Sequence, residues 1–298
     1  MKSYDLIIKN AQIHTMDEDR KVYAKGIIGI EGEKITLMKE MSELTVEELQ
    51  ECESAKTVID AEGKVVFPGF IDTHIHIFQS FLKGLGADHR LIEWLNLSAL
   101  PYGQYMTPHQ HELAAQLACM EAIKSGCTTM SEFFYTNQDP ELAHSCIDGM
   151  VSTGIRSVFI RTFQDTGEEY GMPKCFLEPA GKAMKEVDAL KKAYKENDML
   201  SIWTGPDVTW STTKEGYQEM LEYCLNENVR YSMHIKETEV DNEMCGRYYG
   251  KDIVDMLEEI GFLTDKFLAV HCVNLTPHDI ERFAKYGVSI SHNPAPNL

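Results

Sequence analysis

The sequence predicts an α/β protein built on a (β/α)8 TIM barrel, with seven of the eight strands countable and a small β domain in front. Three observations carry that expectation. From Val65 onward, short apolar runs alternate with amphipathic helical segments, the pattern of repeated βα units around a parallel sheet. Before residue 65 the pattern differs: strand-like pieces are separated by polar turns. The 298 residues also suffice for a barrel, which takes ~250 residues as a single unit. Domains are expected over 1–64 and 65–298.

In the first domain, Leu6-Ile7-Ile8, Ala11-Gln12-Ile13, Gly26 to Ile30 and Ile35-Thr36-Leu37 read as strands, broken by Asp17-Glu18-Asp19 and Glu31 to Lys34. Thr45 to Ala55 is acidic and helix-prone, and Val58-Ile59-Asp60 is extended again. In the barrel, strands are expected over 65–73, 128–134, 156–162, 200–205, 230–235, 267–273 and 287–291. Helices are expected over 107–125, 139–153, 178–197, 213–227, 247–261 and 276–286. Thr107-Pro108, Asp139-Pro140 and Thr276-Pro277 each put a capping side chain before a proline at the first helical position. Thr212 with Glu215 reads as a capping box, and Tyr217, Met220, Leu221, Cys224 and Leu225 form one apolar face behind it. A closed barrel needs an eighth strand, so the chain reads as truncated just past the seventh.

Composition narrows the function classes. The net charge is −19, and an acidic surface repels phosphate backbones and anionic lipid heads, so neither nucleic acid nor membrane is an expected partner. Apolar runs such as Val65 to Phe70 and Phe267 to Val273 are too short to span a ~30 Å hydrocarbon core, and the N-terminus lacks a secretory pattern. The 8 cysteines form no Cys-x-x-Cys pair, so reduced, mostly buried thiols in a cytoplasmic protein are expected.

The histidines point to chemistry. Of 11, His74 and His76 end the first barrel strand, His234 the fifth and His271 the sixth, while His292 follows the seventh. Barrel enzymes gather their functional groups at the C-terminal ends of the strands. His74-Ile75-His76 sends two imidazoles to one side of a strand, where they can share an ion. His109-Gln110-His111 has the same spacing but lies in a helical first turn, where residues two apart diverge. His234-Ile235-Lys236-Glu237 adds a carboxylate that can accept a proton from an activated water and return it; an exposed loop glutamate is the bland alternative. His271 sits in a buried strand, where an imidazole needs a partner or a ligand.

At this point the sequence resembles the amidohydrolase superfamily, in the branch of cytosine, guanine and S-adenosylhomocysteine/methylthioadenosine deaminases and triazine chlorohydrolases. The matching pieces span the chain: Asn10 to Asp17, Pro68-Gly69-Phe70-Ile71-Asp72-Thr73-His74-Ile75-His76, Glu93-Trp94-Leu95, Gly126-Cys127-Thr128-Thr129, Gly154-Ile155-Arg156, His234 to Glu239, Val270-His271 and Ser291-His292-Asn293-Pro294. The resemblance implies that His74, His76 and His234 hold one Zn2+, or Fe2+, per chain, with an aspartate expected beyond Leu298. It implies that Glu237 shuttles the proton and that His271 orients the attacking hydroxide. It also implies that the small domain is a composite β-sandwich completed from beyond the barrel.

The expected activity is hydrolytic deamination of a small aminated heterocycle of the purine, pterin, pyrimidine or triazine type. Water is the co-substrate and a homo-oligomer the expected form. Hydrolytic dechlorination of a ring is the alternative within the enzyme class, and a catalytically silent fragment or subunit is the alternative outside it. Two departures from the nucleoside-type members, Pro101-Tyr102-Gly103 and Pro206-Asp207, argue against a ribose clamp. Asp207 is a candidate acceptor for ring N–H groups or an ordinary loop cap, and Trp203 or Trp210 a stacking platform. Trp94, Glu132, Arg161 and Asn293 complete the candidate substrate contacts, with ion-pair roles equally open for Glu132 and Arg161.

Overall fold

The computed structural model describes residues 3–294 and divides the chain into two compact units, Met1–Gly69 and Phe70–Leu298. The first is a five-stranded sheet. Strands β1 (Leu6–His14), β2 (Val22–Glu31) and β3 (Lys34–Glu40) form an antiparallel meander, with Leu6 opposite Ile30 and Ile30 opposite Ile35. Helix α1 (Val46–Glu53) then returns the chain so that β4 (Thr57–Asp60) and β5 (Val65–Val66) pair in parallel with β1. Neighbouring residues of a strand face opposite ways. Ile27 accordingly packs with Tyr4, Ile7 and Leu37 on one face, and Ile28 with Ala11 and Ile13 on the other.

The second unit holds seven parallel strands that are neighbours in chain order: β6 (Phe70–Ile75), β7 (Cys127–Phe134), β8 (Arg156–Phe163), β9 (Leu200–Pro206), β10 (Tyr231–Ile235), β11 (Phe267–His271) and β12 (Ser289–His292). The sheet curls on itself, so that Thr73 Oγ1 of β6 meets Ser291 Oγ of β12 at 2.7 Å. This is the barrel that the alternating pattern predicts. Every residue of β10 is buried, as expected for a parallel strand covered on both faces. Where β9 passes β10, a side chain at position 205 would collide with the Ser232 carbonyl, and only glycine fits.

Helices α2 (Leu91–Trp94) and α3 (Leu100–Gly103) flank a π turn between β6 and β7. The remaining helices are α4 (Pro108–Ser125), α5 (Pro140–Ser152), α6 (Ala180–Ala193), α7 (Lys214–Asn226), α8 (Glu239–Tyr249), α9 (Ile253–Glu259) and α10 (Pro277–Tyr286). Thr107, Asp139 and Thr276 cap α4, α5 and α10 through their side chains. Tyr217, Met220, Leu221 and Cys224 of α7 are buried against the sheet, each apolar side chain of this size contributing roughly 1.5–3 kcal/mol.

Three local expectations are corrected. Residues 65–73 are not one strand: Pro68 has no N–H for a ladder, so Val65–Val66 pairs with β1 and the barrel strand starts at Phe70. The cap of α7 is Thr213, whose hydroxyl accepts from Gly216 N–H at 3.1 Å, instead of Thr212. The helix expected over 247–261 is the end of α8 and all of α9, separated because Gly250 adopts φ 70° and terminates the first.

Candidate metal centre

Four imidazoles converge at the C-terminal ends of β6, β10 and β11. The ring centroids of His74 lie 4.7 Å from His76, 4.9 Å from His234 and 5.3 Å from His271. His234 and His271 stack at 5.2 Å. One nitrogen from each of His74, His234 and His271 falls within 4.8 Å of the others, an arrangement that could hold a metal ion. His76 joins them through Nε2, 3.1 Å from Nε2 of His234.

That short contact is informative because of what lies behind each ring. His76 Nδ1 is 2.9 Å from the Phe133 carbonyl, and His234 Nδ1 is 2.7 Å from the Asp207 carbonyl. A carbonyl oxygen only accepts, so both Nδ1 atoms carry the proton and both Nε2 atoms present lone pairs. Two lone pairs at 3.1 Å repel unless a cation lies between them. A proton is disfavoured there: burial holds His76 down to about 4, and burial with the neighbouring imidazoles holds His74 and His234 well below the usual histidine range. A tetrahedral ion with bonds of ~2.0–2.1 Å separates two nitrogens by ~3.4 Å, so the spacing suits a transition metal. His74 Nδ1 is buried with no hydrogen-bond partner, an orphaned donor atom in the same cluster. The residues present therefore fit a metal.

The carboxylates surround this centre unequally. Glu237 is buried, with Oε1 3.6 Å from His271 Nε2. Asp207 stands behind His234, its Oδ1 3.6 Å from Nδ1, and burial followed by the nearby Glu237 charge pushes it up to about 7. Glu132 is wholly buried; its Oε2 accepts from Ile77 N–H at 2.7 Å, which fixes the chain just past His76, and burial raises it to about 8. The structure does not bring Arg161 to the histidines. Its buried guanidinium is paired with Glu178 and Glu186 and donates to the Thr162 carbonyl, so the ion-pair alternative describes it. Trp94 donates its indole N–H to the Leu85 carbonyl, and Asn293 donates to the Ser291 carbonyl. Trp210 is buried edge-on to Tyr170 at 5.2 Å, and Arg230 lies over the Trp203 ring. His109 is exposed beside Glu112, while His111 is buried against Thr136, so this second His-x-His pair does diverge.

Sequence reasoning missed the supports. Lys236, His271 and Cys272 are non-glycine residues at φ 53°, 72° and 54°, a left-handed conformation costing ~1–3 kcal/mol each that persists only where the surroundings impose it. They do so here: Val273 and Asn274 both donate their N–H to the Lys236 carbonyl, at 3.0 and 2.9 Å. Lys236 itself is buried, with Nζ on Asn242 and Asp252 and 3.5 Å from Asp279. Phe133 walls the site with its ring 4.2 Å from His234. Only Thr238-x-x-Asp241, a helix-start spacing, signals any of this in the sequence.

Fold and histidine cluster together are those of an amidohydrolase-type barrel, and the chain belongs to the amidohydrolase family, which it matches over residues 65–298. Among its relatives is the 5'-deoxyadenosine deaminase of Methanococcoides burtonii, 30% identical over 298 residues, which cover 99% of this chain and 63% of the relative. The chain thus spans just under two thirds of that protein's length. The adenosine deaminase from Xanthomonas campestris with bound zinc superposes with a TM-score of 0.86 at 17% identity, covering 98% of this chain and 63% of that one. The atrazine chlorohydrolase from Arthrobacter aurescens complexed with zinc superposes with a TM-score of 0.85 at 22% identity, covering 98% and 66%. At such identities the likeness is one of fold. Among the described residues no helix is long and apolar enough to cross a membrane.

Proposed function

We propose that this chain carries the catalytic barrel of a metal-dependent aminohydrolase, which replaces the exocyclic amino group of a small heterocycle with oxygen from water and releases ammonia. The observation that carries the proposal is the facing pair of Nε2 lone pairs on His76 and His234, held there by two carbonyls behind them. In this reading His74, His76 and His234 hold one Zn2+ or Fe2+ per chain. A bound ion of this kind supplies Lewis-acid activation of water at neutral pH.

The chain's own residues do the rest. Glu237 takes the proton from the attacking water and delivers it to the ring nitrogen beside the reacting carbon, and a second transfer lets the amine leave as ammonia. His271, 3.6 Å from Glu237, orients the attacking oxygen against the ring. Asp207, buried at the end of β9, is the proposed acceptor for a substrate N–H, and Trp94, Glu132 and Asn293 are secondary candidates. Adenine-type rings head the substrate list because of the relative's name, with pterins, pyrimidines and triazines after them. The 8 unpaired cysteines support a cytoplasmic setting.

The test is ammonia release by the full-length, metal-loaded protein across a panel of aminated and chlorinated heterocycles. Ammonia from at least one aminated ring supports the reading. Chloride release alone transfers it to dehalogenation, and no release from any ring overturns it.

A further inference from the structure

Glu237 is held through both its backbone N–H and its backbone carbonyl. Its N–H donates to Asp241 Oδ2 at 2.8 Å, and the same oxygen accepts the N–H of Thr238 at 2.9 Å. Its carbonyl accepts from Asn274 Nδ2 at 3.2 Å. Asp241 is in turn fixed through its other oxygen, which accepts from Thr209 Oγ1 at 3.2 Å, and the residue is 5% exposed. A buried carboxylate that receives two backbone N–H groups makes charge-assisted bonds roughly twice as strong as neutral ones. The turn it grips follows directly on Lys236, whose backbone is left-handed at φ 53°. Without the clamp that turn can relax, and Glu237 swings with it.

Resting on the proposed function, we infer that Asp241 is the positioning residue for Glu237: it sets where the proton-transferring carboxylate stands relative to His271 without itself touching substrate. It does more than start helix α8, because an ordinary helix-start carboxylate reaches back to the cap residue alone. Asp241 instead spans the cap, Thr238, and the residue before it, which is Glu237.

Asp241→Ala in the full-length protein should leave metal content unchanged and lower kcat by ~10–100-fold with little change in KM, the range typical of outer supports. Asp241→Asn, which keeps one acceptor oxygen in the same place, should recover most of that loss. In the double variant with Glu237→Gln, Asp241→Ala should cost nothing further, because its effect runs through Glu237. Amide exchange gives a readout that needs neither metal nor substrate: the N–H groups of Glu237 and Thr238 should exchange roughly tenfold faster in Asp241→Ala. Unchanged protection at those two amides, or losses in turnover that simply add, overturns the inference. Wild-type protein without deaminase turnover overturns the functional reading instead, and the exchange rates still decide whether the clamp exists.

Discussion

Two buried polar clusters sit on the barrel strands, and they differ in one respect. Around Arg161, at the end of β8, a guanidinium with no exposed side-chain area meets Glu178, Glu186 and a carbonyl, so its charge is answered within the protein although its Nε has no hydrogen-bond partner. Around His76 and His234 lone pairs face each other, and the buried Nδ1 of neighbouring His74 has no hydrogen-bond partner. Burial and polarity are shared. What separates the two clusters is that opposite charges meet in one and like lone pairs meet in the other, and a polar group taken from water at a cost must be repaid by a neighbour or by a ligand.

The largest effect is expected at the histidines. His74→Ala or His234→Ala should abolish metal binding, since each removes an imidazole nitrogen proposed to hold the ion. Elemental analysis showing undiminished metal in both variants would sink the assignment.

Arg161→Ala should do the opposite, leaving metal content alone and costing ~3–5 kcal/mol of stability, because the buried Glu178 and the partly buried Glu186 lose their guanidinium partner. Denaturant unfolding measures this; a loss under about 1 kcal/mol would show that the guanidinium does not hold the two carboxylates in the fold.

Glu237→Gln sharpens the contrast within the site. Turnover should fall by ~10²-fold, equivalent to ~2.7 kcal/mol in the barrier, with metal retained. Near-normal turnover in the metal-loaded variant removes the proton-shuttle role.

The smallest effect concerns Glu132, buried like Arg161 but with only half of its carboxyl satisfied. Burial raises it to about 8, above its unfolded value. Its contribution to stability is therefore fully present below the unfolded pKa and is lost as pH rises through the folded one. Glu132→Gln lacks that slope, so between pH 7 and pH 8 wild type should lose about 1 kcal/mol relative to the variant. Parallel unfolding curves at the two pH values would show that Glu132 is solvated or paired.

Much of the site is legible in the sequence because the chemistry sits at strand ends. His74-Ile75-His76 and His234-Ile235-Lys236-Glu237 follow apolar runs that are unmistakable as strands, and a parallel barrel brings strand ends to one face whatever the loops do. Position 161 shows the limit. Arg161 also ends a strand, yet it turns toward Glu178 and Glu186, 17 and 25 residues on, a pairing set by how the loop after β8 and helix α6 pack. Local ambiguities failed likewise where two adjacent residues could do the same job: Thr212 and Thr213 are both good caps, and the position of Asp165, which accepts from Thr213 N–H and Oγ1, decides between them.

By itself the sequence determined the alternation of strand and helix, the sheet's parallel character, the histidines at the strand ends and the carboxylate three residues after His234. These depend on periodicity and on spacing within a few residues, which the chain carries locally. The tertiary structure alone decided that two imidazoles turn their Nε2 atoms toward each other, that Asn274 reaches the Glu237 carbonyl, and that Lys236 is buried on Asp252. Each of those contacts joins different strands or loops, and its geometry is set by side-chain packing and hydrogen-bond direction across the barrel. Such directions exist only once the chain has folded.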